Sequence, residues 1–240
     1  MVCKLVDFIV EFKNPSPQIE KFFSDYIYDG TPQISFEISE NDIEYETKLE
    51  RKQYTKFSYE LTAMLRKFTK WMIEENAFFL HSALIDVDGI GIAFAAPSGT
   101  GKTTHLCLWQ QLLGDRLTVV NGDKPIVRFL ENEKYPVGYG TPWNGKEMFG
   151  INGKTEIRHF CFIERSLSNS CEKLNASDVL HLFFKQIYIP KKDVSKTFKT
   201  LQMANMFLNN VTVWKIKCNM DISAAEVAYN TIFKENNDET

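Results

Sequence analysis

The chain has 240 residues, a formal charge of −3, 44% hydrophobic and 25% charged residues, proportions of an ordinary globular protein that exclude a largely disordered chain. The slightly negative balance offers no basic field for nucleic acid, and no window approaches a membrane span in length, so neither nucleic acid nor membrane is expected as a partner. Five cysteines, Cys3, Cys107, Cys161, Cys171 and Cys218, form no CxxC pair, and Asp7 and Glu11 interrupt the short apolar start with no cleavage site after it. Reduced thiols in a cytoplasmic protein are expected.

In chain order, "LVDFIVEF" reads as a first strand, and "NPSP" at 14–17 breaks it before a short helix ending at Gly30. "QISFEIS" and "IEYETKLE" alternate like the two arms of a hairpin. Phe57, Leu61, Leu65, Phe68 and Met72 recur at spacings of three and four, which predicts an amphipathic helix over 57–75. "FFLHSALIDV" reads as a strand, Asp88-Gly89 as a tight turn, and "GIAFAA" as a second strand leading into a glycine-rich loop. An antiparallel neighbour beside that strand points to a mixed sheet rather than a parallel βαβ one. Farther on, "RLTVV", "IVRFL", "YPVGY" and "EIRHFCFIE" are strand-like, and "SDVLHLFFKQIYI" and "DVSKTFKTLQMANMFL" are helical by period. "VTVWKIK" reads as a last strand, and Ser223 with Glu226 as a capping box that starts a final helix. The length suits one good-sized core with an N-terminal α+β extension over residues 1–75.

Between the strand "GIAFAA" and the helical run "TTHLCLWQQLL" lies "PSGTGKT", the context in which a phosphate-binding loop is credible. Backbone N–H groups and the helix start would surround phosphates. Ser98, Gly99, Thr100, Gly101, Lys102, Thr103 and Thr104 form the expected nucleotide-binding set, with Lys102 on the β and γ oxygens and the Thr103 hydroxyl on Mg²⁺. Ala96 stands where the usual pattern opens with glycine, which costs little if that residue is still extended.

Asp123 follows the strand "RLTVV", where such proteins keep a metal-orienting carboxylate. It reads as a ligand for Mg²⁺ or a proton acceptor, or as the aspartate of an Asn-Gly-Asp turn. All glycines but Gly30 lie between Gly89 and Gly153, five of them in "VGYGTPWNGKEMFGING". That loop, with Trp143 and Lys146, reads either as a clamp on substrate or as a long surface loop. His81 could face the core or the nucleotide. His105, His159 and His181 show no ligand spacing, and Cys107 reads as a small packed hydrophobe.

The stretch "LHSALIDVDGIGIAFAAPSGTGKTTH" followed by "VVNGDKPIV" resembles the catalytic domain of the HPr kinase/phosphorylase family, in its shorter stand-alone relatives, and "TPWNGK" and "FIERS" are similar to its kinase-related members. The resemblance covers about residues 78–165. It implies a mixed-sheet α/β P-loop domain over 76–240, of the type shared with ATP-type phosphoenolpyruvate carboxykinase, with ATP and Mg²⁺ as cofactors. It also implies homo-oligomer formation, and a hydroxyl-bearing peptide, protein or small molecule as acceptor. Catalytic roles for His81 and Asp123, beside Lys102, come from the same resemblance. The family usually has two adjacent aspartates, and Gly122 occupies the first position, so Asp123 serves both duties or another carboxylate such as Glu147 joins it. No counterpart of the family's later arginine-bearing phosphorylase motif is found. The expected function is Mg-ATP-dependent transfer of the γ-phosphoryl group to a hydroxyl, serine foremost. The alternative is an ATP-binding module without turnover that docks a partner peptide. A GTPase or transporter ATPase fits less well, because neither NKxD nor an LSGGQ-like signature occurs.

Overall fold

A computed structural model describes residues 1–49, 52–97, 99–131 and 133–238. They form two compact units, Met1–Glu75 and Asn76–Thr240. No helix among the described residues is long and apolar enough to cross a membrane.

In the first unit the opening stretch, expected as one strand, is a hairpin of β1 (Val2–Leu5) and β2 (Phe8–Lys13). Its turn residues Val6 and Asp7 both have positive φ, 54° and 67°, a backbone that fits strand twist but that a β-branched residue adopts at a cost. No Asn-Gly announced it. After α1 (Pro17–Phe22), β3 (Ile34–Glu37) joins β2 in parallel. The expected second hairpin arm is instead α2 (Glu40–Leu49). Ser39 and Asp42 start it reciprocally: the Ser39 N–H donates to Asp42 Oδ2 at 2.9 Å and the Asp42 N–H donates to Ser39 Oγ at 3.3 Å, a capping box with aspartate in the acidic place. Helical spacing then turns Asp42 and Glu46 together onto Arg66 of α3 (Lys56–Met72). In a strand, residues four apart would share a face but stand much farther apart. The apolar face of α3 carries Phe68 and Trp71 onto Phe36, with Phe8 against Trp71.

The second unit is a mixed α/β fold. Its strands are β4 (Ala77–Phe79), β5 (Ala83–Val87), β6 (Ile90–Ala95), β7 (Leu117–Asn121), β8 (Ile126–Arg128), β9 (Val137–Tyr139), β10 (Lys154–Arg165), β11 (Ser170–Leu174) and β12 (Thr212–Cys218). The helices are α4 (Lys102–Leu113), α5 (Ala176–Phe183), α6 (Val194–Asn210) and α7 (Ser223–Asp238). The strands run in the order β4-β8-β9-β10-β6-β5-β7, with β12 joining β10 and β11. β10 pairs in parallel with β6 and β12, while β5 is antiparallel to both β6 and β7. Hence β6, β7, β10 and β12 all end at the same edge.

Both faces of this sheet are covered, which is why the centre of β10, Phe160 to Ile163, is an apolar run buried on both sides. Ile85, Phe94, Cys161, Ile163 and Trp214 pack on one face with Trp109 of α4 and Ala228 of α7. On alternate positions Phe160 meets Phe183 of α5 and Phe207 of α6.

Three further expectations are corrected, and one strand is added. "FFLHSALIDV" is two strands, β4 and β5, interrupted at Leu80–Ser82, because Leu80 N–H donates to Pro125 O and Ser82 N–H to Asp123 O instead of to a neighbouring strand. β11, polar and exposed on one side, went unread. Ser223 does not form a box with Glu226: its N–H and hydroxyl both donate to Asp221 Oδ1, at 2.9 and 2.7 Å. Cys107 is exposed, since the buried face of α4 is set by His105, Leu106, Leu108, Trp109 and Leu113.

Candidate functional site

The loop after β6 begins extended: Ala96 is buried and is not among the positive-φ residues, so a β-carbon there needs no strained backbone. The left-handed positions fall on Gly99 (φ 77°) and Gly101 (φ 115°), where only glycine is unstrained. Ser98 lies outside the described residues. Gly101 is the N-cap of α4, so Lys102, Thr103 and Thr104 form its first turn. Their N–H groups have no intrahelical acceptor and carry the positive end of the helix.

Three segments converge on this loop because of strand direction. β6 delivers the loop itself, β7 delivers Asp123 just past its end, and the interruption before β5 delivers His81. The His81 N–H donates to Gln186 O at 2.7 Å, which fixes the residue between its two flanking bonds to the 123–125 turn. Its Nε2 then lies 3.2 Å from Asp123 Oδ1, and Lys102 Nζ lies 3.4 Å from the same oxygen. Lys124 Nζ pairs with the other oxygen, Oδ2. Burial pushes the Asp123 carboxyl up, but the hydrogen bond from His81 and the Lys124 and Lys102 charges prevail and hold it well below the usual carboxylate range. Burial pushes the Lys102 ammonium down, and the Asp123 carboxylate opposes that shift. The group is thus a carboxylate that stays ionised among cations, beside a helix start.

A buried lock beneath it holds the turn in shape. Asn121 is fully buried. Its Oδ1 accepts from the Asp123 N–H at 2.9 Å and the Lys124 N–H at 2.6 Å, while its Nδ2 donates to Thr141 O and Oγ1, both at 3.1 Å. Thr141 Oγ1 donates to Lys124 O at 2.8 Å. Asn121, Thr141 and Lys124 escaped the sequence reading. The Asn-Gly-Asp string was a turn signal, but its partner lies twenty residues downstream.

The glycine-rich loop closes over the same turn. Gly122 N–H donates to Phe149 O at 2.7 Å, and a β-carbon on Gly122 would sit 2.8 Å from Asn144 O and 3.1 Å from Phe149 O. A second aspartate at that position has no room. A β-carbon on Gly145 would lie 3.2 Å from Asp123 Cβ and 3.7 Å from Glu147 Oε2, so the Glu147 carboxylate and Asp123 flank one point. Trp143 and Lys146 do not join the charged cluster. The Trp143 side chain is turned inward, 4% exposed, and Lys146 is exposed.

Arg165, the last residue of β10, reaches the loop from the other side. Its Nε donates to Thr100 O at 2.8 Å and its Nη2 to Gly99 O. His105 and His159 are structural: each ring accepts from a tryptophan indole, Trp109 Nε1 at 3.0 Å and Trp214 Nε1 at 3.2 Å. Burial pushes both down to about 4. Among the described residues no three His, Cys, Asp or Glu side chains gather as a metal set. One carboxylate and one hydroxyl, Asp123 and Thr103, fit a magnesium ion, which takes few protein ligands and completes its shell with water and substrate phosphate.

No protein-family model matches the chain, and no curated protein matches it. Among solved structures it is similar to the Hpr(Ser) kinase/phosphatase from Coxiella burnetii, at 11% identity and a TM-score of 0.39, over 67% of this chain and 94% of that one.

Proposed function

We propose that the chain binds ATP with Mg²⁺ on the loop ahead of α4 and transfers the γ-phosphoryl group to a hydroxyl, that of serine in a peptide, a small protein or the free amino acid. The observation that carries this reading is the meeting of Lys102, Asp123, His81 and Lys124 beside the first-turn N–H groups of α4. Both lysines lean on Asp123, and a triphosphate in the loop offers their ammoniums a more highly charged partner. That exchange frees the carboxylate. Thr103 and Asp123 would hold Mg²⁺, which supplies charge neutralisation between the phosphates when bound.

The acceptor oxygen forms its bond to the γ-phosphorus as the bond from that phosphorus to the β–γ bridging oxygen breaks, and ADP leaves with the electron pair. The hydroxyl proton passes to a carboxylate. In a loose transition state that proton leaves late, so a weak base suffices, and Asp123, oriented by His81, is the assigned acceptor. Glu147 is the other acid at hand and stands in for the side chain that Gly122 cannot carry. Positioning and charge do the remaining work.

The engagement of Asp123 by three cationic or proton-donating groups favours one alternative, an ATP-binding module without turnover. Incubation with γ-labelled ATP and Mg²⁺ against free serine, serine peptides and a carrier protein separates the two. Label in an acceptor supports the kinase; ATP bound with no transfer to any acceptor supports the module; no ATP binding overturns both.

A further inference from the structure

Between Lys185 and Asn210 the chain carries five lysines and one acid, Asp193, although its formal charge is −3. Basic residues of α3 are answered within their own unit, Lys56 by Glu40 and Arg66 by Asp42 and Glu46. Those around the start of α6 are not. Lys185, Lys191 and Lys192 are exposed, and none has an ion-pair partner among the described residues. Asp193 is already in use as the cap of α6, where its side chain accepts from the Lys196 N–H at 3.1 Å. The helix buries Met203, Ala204, Phe207 and Leu208, yet it leaves Val194, Phe198 and Met206 exposed by 84, 62 and 46%. Spacings of four and eight residues turn these three onto one side, within about 120° of each other. We propose that this face of α6 docks an acidic, partly apolar peptide segment, the one that carries the acceptor serine. That the segment is the acceptor rests on the kinase reading; the surface itself does not.

The backbone ties this surface to the charged cluster. Gln186 O accepts from the His81 N–H at 2.7 Å, and Ile187 forms an antiparallel bridge with Leu80. Four residues separate Ile187 from Lys191, a reach of about 14 Å at full extension, so with the width of the bridge Lys191 stands within about 20 Å of His81. The turn between them is bonded: Pro190 O accepts from the Asp193 N–H at 2.8 Å and from Thr197 Oγ1 at 3.0 Å. An extended segment of about six residues covers that span. A serine at Asp123 therefore places its neighbours, up to about six positions away, over Lys191 and Lys192. The chemistry of the surface names those neighbours. Ammoniums with no acid of their own attract carboxylates and turn basic segments away, and Val194 and Phe198 offer apolar area for a segment to bury. Free serine can use neither feature, so the surface selects a peptide or protein acceptor over the amino acid. An anionic lipid surface would answer the same charges, and the short span to His81 is what favours a peptide.

The test uses two fluorescent peptides of equal length, each with one serine and one leucine, one rich in aspartate and the other in lysine. Anisotropy with the full chain needs no ATP and reads the surface directly. The parent is expected to bind the acidic peptide about tenfold or more tightly than the basic one, by a margin that shrinks as salt is raised. Lys191→Glu combined with Lys192→Glu, at two exposed positions, is expected to abolish or reverse the preference. Phe198→Ser, also exposed, is expected to weaken the acidic peptide about threefold or more without changing which peptide is preferred. Equal binding of the two peptides, binding of neither, or an unchanged preference in the double variant overturns the surface. Retention of the parent on phosphatidylserine vesicles, lost in the double variant and without any peptide preference, assigns the face to lipid and overturns the peptide. Label transfer from γ-labelled ATP to the same peptides separates this inference from the kinase reading. Label that follows the binding preference upholds both. Preferential binding with no label in either peptide keeps the docking surface and overturns the kinase, whereas equal label with equal binding keeps the kinase and overturns the surface.

Discussion

Replacing Asn121 with alanine tests whether the buried lock, rather than the loop alone, makes the site. The change removes the acceptor of two backbone N–H groups, those of Asp123 and Lys124, and the donor to Thr141 O and Oγ1. The side chain has no exposure, so water does not replace these bonds without opening the turn. An unsatisfied buried group costs about 1–3 kcal/mol. Two stranded N–H groups, partly relieved as the turn loosens, give a loss of about 3 kcal/mol. Typical domain stability is about 5–15 kcal/mol, so the variant still folds. What it loses is the placement of Asp123: a displacement of about 1 Å is enough for a hundredfold loss of rate. Urea denaturation reads the first quantity, label transfer from γ-labelled ATP reads the second, and calorimetry with ATP checks that the loop still binds. Asn121→Asp keeps both acceptors but turns a carboxylate oxygen toward Thr141 O, and is expected to fall between the two. An alanine variant within about 0.5 kcal/mol of the parent, with unchanged transfer, refutes the reasoning, since loss of a working lock cannot be silent.

Lys102→Ala is expected to abolish tight Mg-ATP binding while leaving the denaturation midpoint nearly unchanged, and unchanged affinity by calorimetry contradicts the loop assignment. Asp123→Asn keeps shape, removes charge, and is expected to cut transfer by about a hundredfold or more with ATP still bound; near-full turnover moves the proton-accepting role to Glu147, and the double variant then shows the loss. His159 supplies a pH dependence of stability. Burial, then the neighbouring Arg158 and Lys173 charges, push its ring from 6.5 down to about 4, so between those values the unfolded chain binds the extra proton. Stability is therefore full above about pH 6.5 and declines toward pH 4, by about 3 kcal/mol over that window at 1.36 kcal/mol per pH unit. Urea midpoints measured across the window check it, and a His159→Gln variant whose midpoints fall just as steeply contradicts it.

Much of the second unit was legible because its signals are local. A strand, a GKT at the right offset and a helical period identify the loop and α4 from adjacent residues, and the positive φ angles of Gly99 and Gly101 are what their glycines announced. The segments that misled were those where long-range pairing overrode period. Ile43, Tyr45 and Thr47 alternate, yet Asp42 and Glu46 needed helical spacing to reach Arg66. Leu80–Ser82 looked like strand, and the amides of Leu80 and Ser82 went to the turn after β7. That interruption is what aims His81, so the misreading and the functional geometry have one cause. Asn121 and Thr141 were invisible for the related reason that a buried polar pair shows no pattern in sequence; only the fold reveals that they make three hydrogen bonds to one turn and two to each other.

The glycine-rich segment behaves as two materials spliced together. Its ends are sewn to β7: Ile151 N–H donates to Val120 O, Gly122 N–H to Phe149 O, and Asn121 bridges to Gly150. At Gly140 a β-carbon would lie 2.7 Å from Val120 O, and at Gly150 3.1 Å from the same oxygen. Backbone closes in on these positions, and backbone cannot be repacked around a larger residue as side chains can. The tip, Lys146 through Met148, is exposed and carries no such obligation. A chimera that exchanges only Lys146 and Met148, and keeps Glu147, would therefore keep the hem and replace the fringe, altering which acceptor is greeted while the machinery beneath remains as it was.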